Sequence, residues 1–276
     1  MNAMILFLLA GLVFSAGASG QEPVRNPAQP TAANAGRIVP LQHTWRIKDA
    51  GDGYFLTNPA RVAFGPDGTL FVQDVNKILR FDAAGKFLRA YKPESASGSF
   101  LFMGLDVAGD SVVTFEMVGR RVYVFDLQTG AERGFRLPMD RAPAPQFLFS
   151  KNGRLYFADS QRIFAYSMEG KPDGQEIPFG ASQASLEEGP TRSVVTATVR
   201  AAPLGASEAL LCSTFQYLVR RLDLAGGKTV GAFTRDYVGV RNENASTSAL
   251  VRNKLDIGGL QVVGDRLWVF TSTQDP

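Results

Sequence analysis

The 276-residue chain has one cysteine, Cys212, and one histidine, His43. A single thiol excludes an intrachain disulfide and any zinc site built on cysteines. A single histidine excludes a multi-histidine metal centre, and a Ser-His-Asp arrangement would have to draw on a residue close to the N-terminus. Runs of five or more basic residues are missing. Lys+Arg exceed Asp+Glu by only 29 to 26, so neither nucleic acid nor an anionic membrane is an expected partner. Glycine-rich phosphate loops and nucleophile elbows are missing too, and "GDGYF" at Gly51 to Phe55 reads as a turn cluster. No catalytic constellation is visible, and no cofactor is implied.

Long apolar runs are scarce. The run from Met4 to Phe14 is shorter than the ~20 residues a spanning helix needs. Small residues follow it, and "AGA" at Ala16 to Ala18 or "ASG" ending at Gly20 suits a signal peptidase, although no Lys or Arg precedes the run. Residues 1–20 are therefore expected to be a secretory signal, with no transmembrane segment in the mature chain. The polar, proline-bearing stretch 21–40 is expected to be a disordered tether. Export without disulfides suits a periplasmic or secreted protein, the periplasm above all. Cys212, inside the apolar "ALLCSTF", reads as a buried, inert thiol.

What the chain does have is repetition. Asp67-Gly68 precedes "TLFVQD", Gly109-Asp110 precedes "SVVTFE", Asn152-Gly153 precedes "RLYFAD", and Gly264-Asp265 precedes "RLWVFT". Each reads as a two-residue turn between two runs rich in Val, Leu and Phe. An alternating strand, a second turn and an outer strand follow in "KILRFDAAGKFL", "RRVYVFDLQTGAERGF", "QRIFAYSMEGKPDGQEI" and "QYLVRRLDLAGGKTVGAF". The fourth copy takes "SVVTATVRA" and "ALLCSTF" as its earlier strands. The anchors Phe81, Phe125, Tyr166 and Leu222 recur at about 40 to 55 residues, a period typical of propeller blades. A four-stranded sheet cannot bury both faces alone, and radial stacking does so. The fold class expected is all-β, a propeller of four-stranded antiparallel blades spanning residues 41–276.

Residues 59 to 85, "PARVAFGPDGTLFVQDVNKILRFDAAG", resemble the NHL repeat and its relatives among the six-bladed propellers, of TolB-like or YncE-like architecture. The second and third copies match in part, and the fourth diverges. The resemblance implies six blades in the full protein, about four and a half of them here, with the chain incomplete at its C-terminus. It is nearly silent on activity, because such folds host interaction modules, carriers and enzymes alike.

Three positions enter the innermost strands at matching points, Arg61, Met103 and Gln146, with Gly258 as a fourth. Their chemistry varies, as a ligand-contacting rim would, and Arg61 and Gln146 suit an anion or a polar solute. Two long polar connections, 180–193 and 236–256, are the other candidate surface. In the second, Tyr237, Arg241, Asn242 and Asn244 could form a contact patch. The carboxylates Asp74, Glu116 and Asp159 recur after the second strand, where they either ring a hard cation or accept turn N–H groups. The function expected is a binding or interaction module for a protein, peptide or glycan. The alternative is a calcium-dependent hydrolase or lyase, with calcium as its cofactor and part of its site in blades beyond residue 276.

Overall fold

The computed structural model describes residues 24–26, 47, 56–94, 102–138, 145–159, 162–178, 183–186, 193–196, 199–213, 216–235, 255–263 and 266–273. The chain forms β1 (Val24–Asn26), then β2 (Pro59–Phe64), β3 (Leu70–Asp74), β4 (Lys77–Phe81) and β5 (Phe87–Tyr91). Next come β6 (Phe102–Ala108), β7 (Ser111–Glu116), β8 (Arg121–Asp126) and β9 (Glu132–Arg136), followed by β10 (Gln146–Lys151), β11 (Arg154–Ala158), β12 (Arg162–Ser167) and β13 (Pro172–Pro178). A hairpin of β14 (Gln183–Leu186) and β15 (Ser193–Thr196) intervenes. β16 (Val199–Leu204), β17 (Glu208–Ser213), β18 (Gln216–Asp223) and β19 (Lys228–Arg235) complete a fourth sheet, and β20 (Leu255–Val263) pairs with β21 (Arg266–Thr273).

Each set of four consecutive strands is an antiparallel meander in sequence order, giving blades I to IV. The innermost strands stand in a row, β2 beside β6, β6 beside β10, β10 beside β16, and β16 beside β20. This is a propeller arrangement.

The middle strands show why. Every residue of β3 and of β7 is buried, so both faces of each strand meet protein, and the polar ones among them, such as Gln73, Asp74, Thr114 and Glu116, are hydrogen-bonded. Phe71, Ile78 and Tyr91 of blade I meet Phe102, Val112 and Phe125 of blade II. Val113, Phe115 and Val124 leave the other face of blade II and meet Phe147, Leu155 and Phe157 of blade III. Phe149, Tyr156 and Ile163 of blade III meet Val199, Leu211 and Leu222 of blade IV. Leu210, Cys212 and Val219 then pack on Leu260, Val262, Leu267 and Val269. The anchors Phe81, Phe125, Tyr166 and Leu222 are at most 2% exposed, as a repeat-wide core position requires.

Polar links between blades supplement the apolar ones. Gln73 Nε2 donates to the Phe102 carbonyl at 2.7 Å, and the Gln146 Oε1 accepts the Val199 N–H at 2.9 Å. Asp106 accepts both the Ser150 N–H at 2.5 Å and its hydroxyl at 2.6 Å. Burial pushes the Asp106 carboxyl above its ordinary range despite these bonds.

Two details differ from the expectations. Asp67-Gly68 is not a two-residue turn, because Phe64 pairs with Leu70 across a five-residue connection. Asn152-Gly153 is one, closed by the pair Lys151 and Arg154, with positive φ at both residues. The fourth inner strand begins at Val199, and "SVVT" pairs instead with Gln183–Leu186 as a separate hairpin. A β-prone run of four residues suits either partner, and only the spacing back from the Gly205 turn identifies the true inner strand.

Within the stretch 21–40, Val24–Asn26 lies parallel to β19, with Val24 opposite Phe233. These three residues thus form a fifth strand on blade IV rather than part of a free tether, satisfying an edge that would otherwise stay open. Residues 1–20 and the rest of the stretch 21–40 lie outside the described residues. Among the described residues no helix is long and apolar enough to cross a membrane.

Candidate functional site in the channel

Backbone irregularity shapes the site. The pairing of the inner strand slips between Pro59 and Arg61, between Phe102 and Leu105, between Phe147 and Phe149, and between Ile257 and Gly259. A bulge kinks a strand and re-aims side chains, and such bulges gather beside binding sites. At the second of them, Gly104 allows a close approach. A Cβ there would stand 2.5 Å from the Phe147 ring, so only glycine lets blades II and III meet at this height.

The inner strands enclose a cavity of about 620 Å³. Arg61, Met103 and Gln146, expected at a rim from sequence alone, all line it. The structure brings these three together. Gly259 of β20 also lines the cavity, next to the slip in pairing between Ile257 and Gly259. Most of the remaining wall is apolar, with Phe102, Leu105, Phe147, Leu148, Val199 and Leu260.

Sequence reasoning missed Arg200, which also lines the cavity. Starting the fourth copy at Ser193 moved its inner strand out of register, and counting back from Gly205 would have found it. Burial lowers the Arg61 pKa from its ordinary value, and the charge of Arg200 lowers it further. Two guanidiniums therefore share the cavity wall. Among the described residues that wall contains no carboxylate. Gln146 is committed on one side, since its Oε1 holds the Val199 N–H.

The repeated carboxylates end their strands. Glu116 accepts the Val118 and Gly119 N–H groups at 2.6 Å each. Asp159 accepts the Arg162 N–H at 3.0 Å and pairs with its guanidinium. Asp74 departs from this pattern and accepts the N–H groups of Thr57 and Asn58, in the segment leading into β2. Among the described residues no three His, Cys, Asp or Glu side chains cluster as a metal site would require. Tyr237, Arg241, Asn242 and Asn244 lie outside the described residues.

Cys212 is fully buried, and burial pushes its thiol pKa up to about 12. Only the thiolate reacts. Native protein at pH 8 is expected to leave Cys212 unlabelled by Ellman's reagent over an hour, with one thiol released in denaturant. Full labelling of the native protein would contradict the packing of blade IV on β20 and β21.

No family model matches the sequence. No curated protein matches it either. Solved structures do. A protein of Bacteroides fragilis NCTC 9343 described as exported is 14% identical, with a TM-score of 0.57 over 91% of this chain and 75% of that one. A streptogramin B lyase structure is 16% identical, with a TM-score of 0.50 over 76% of this chain. The match spans about three fifths of the lyase chain, 61%. The chain is a β-propeller. At such low identity the likeness ends at the fold.

Proposed function

We propose that the protein is an exported propeller that binds a peptide segment of a partner protein in the channel between its inner strands, with no chemistry of its own. The cavity carries this reading. Its volume of about 620 Å³ falls in the ligand-binding range of roughly 300–1,000 Å³. Its lining varies from blade to blade, whereas the cores between blades repeat. Of the ligand classes named above, peptide fits better than glycan. Among the lining residues only Arg61, Gln146 and Arg200 carry polar side-chain groups, and a sugar needs many hydrogen-bonding partners for its hydroxyls. The loop residues Tyr237, Arg241, Asn242 and Asn244 belong to the proposal as further contacts.

Three finer elements complete it. Residues 1–20 act as the export signal, in keeping with the likeness to an exported protein. The repeat is of NHL type. The ring is of the six-bladed kind.

The test is selection of displayed peptides on the wild-type protein, followed by affinity measurement on Met103→Trp, whose indole projects into the cavity and narrows it. Recovered peptides are expected to lose at least tenfold in affinity. Peptides that bind both proteins alike, or a selection that enriches nothing, would overturn the channel as the site. Calcium separates the catalytic alternative. At 5 mM calcium the melting midpoint is expected to stay within about 1 °C, since only a ligand of the native state raises it by mass action. A rise of several degrees would revive the calcium-dependent reading.

A further inference from the structure

The inner strands place two arginines from blades I and IV on one cavity wall, and neither has a described counter-charge. Arg61 and Arg200 both line the channel, and each lies partly buried on its strand. Arginines elsewhere on the blades find carboxylate partners. Arg221 forms a two-pronged pair with Glu208 at 2.8 and 2.9 Å, and Arg162 pairs with Asp159 and Glu176. Arg200 Nε is buried and makes no hydrogen bond to any described residue. A half-buried guanidinium beside a second one is costly to hold in the empty protein, and a desolvated cation is stabilised when an anion joins it.

We infer that Arg61 and Arg200 together grip a carboxylate of the bound peptide, whose neighbouring apolar side chains rest on the partly exposed Leu105, Leu148 and Leu260. The inference rests on the channel being the peptide site. A guanidinium presents its N–H donors in a planar fork that matches a carboxylate, and such charge-assisted bonds are short and strong. The depressed pKa of Arg61 has the same origin, in burial and in the nearness of Arg200. An acidic side chain and a free C-terminus present the same group, and the experiment separates them.

Four capped probes test it by calorimetry. They are Ac-Ala-Phe-Glu-Leu-Ala-NH2, its Gln counterpart, Ac-Ala-Phe-Ala-Leu-OH, and the amide of the last. At least one acid is expected to bind tenfold or more tightly than its neutral counterpart, and which one identifies the carboxylate's source. Arg61→Met and Arg200→Met should each abolish that preference, and raising salt from 50 to 500 mM should weaken it. Acid and neutral probes that bind alike, but lose affinity in Met103→Trp, would overturn the carboxylate grip and leave the channel standing. Saturable binding by none of the four at 5 mM would overturn both. A second readout excludes a strut. The ligand-free Arg61→Met protein is expected to melt at or slightly above the wild-type midpoint, because a charge conflict is removed. A midpoint more than about 3 °C lower would make Arg61 a structural residue and end the inference.

Discussion

Phe157→Ala is expected to lower the melting midpoint by about 10 °C. Phe157 has no exposed surface. Its ring lies 5.5 Å from Phe115 of blade II, 5.4 Å from Phe147, and 6.0 Å from both Phe164 and Tyr166. Four rings thus converge on one, and Phe115 reaches it from the neighbouring blade. Truncating a buried phenylalanine costs about 3–5 kcal/mol, made up of lost transfer energy and the cavity left behind. At roughly 2–4 °C per kcal/mol for a chain of this size, the midpoint drops by the amount stated. Phe64→Ala is the control. Phe64 is 62% exposed, and its removal should change stability by less than about 0.5 kcal/mol. Unfolding followed by near-ultraviolet circular dichroism reads both. If Phe157→Ala melts within 2 °C of the wild type, the blades do not pack on each other through these rings.

Two buried core phenylalanines show what the sequence could convey. Phe71 and Phe157 stand in short apolar runs bounded by turn residues, and the recurrence of such runs made the blades legible. Burial on both faces leaves a continuous hydrophobic stretch rather than an alternating one, and glycine or asparagine at positive φ punctuates it. Gly68, Asn152 and Gly153 do adopt positive φ. Arg61, Met103 and Gln146 were legible as neighbours because one register applies to the first three copies. Arg200 was not, because the β14–β15 hairpin inserts before β16 and shifts the count. Nor was the strand at Val24–Asn26. Three residues among prolines carry no periodic signal, and their pairing with β19 depends on an edge that exists only once blade IV has formed. The inner-strand bulges were equally hidden, since a bulge is a relation between two strands.

Asp74 is the position where a single charge should matter most. It is fully buried, yet its carboxylate accepts the Asn58 N–H at 2.5 Å and the Thr57 N–H at 2.9 Å, and pairs with Lys77 at 3.2 Å. Burial is the largest single influence on its pKa and pushes it up. The Thr57 and Asn58 N–H groups and Lys77 together outweigh it, and the carboxyl lies below its ordinary range. Asp74→Ala leaves two backbone donors and an ammonium without their acceptor, and removal of one partner from such a buried group costs about 3–5 kcal/mol. The lost bonds fix the start of β2, the strand that carries Arg61, so the same substitution should weaken acidic peptide binding. Asp74→Asn keeps an acceptor and separates charge from shape. With the folded pKa depressed, the charge stabilises the protein fully above the unfolded value near ~3.9 and ceases to do so as pH falls through the folded value. The stability gap between wild type and Asp74→Asn should therefore hold steady from pH 7 to 5 and shrink towards pH 2. A gap that stays constant down to pH 2 would show that the Asp74 charge contributes nothing, and that the shape of its side chain alone anchors the first blade.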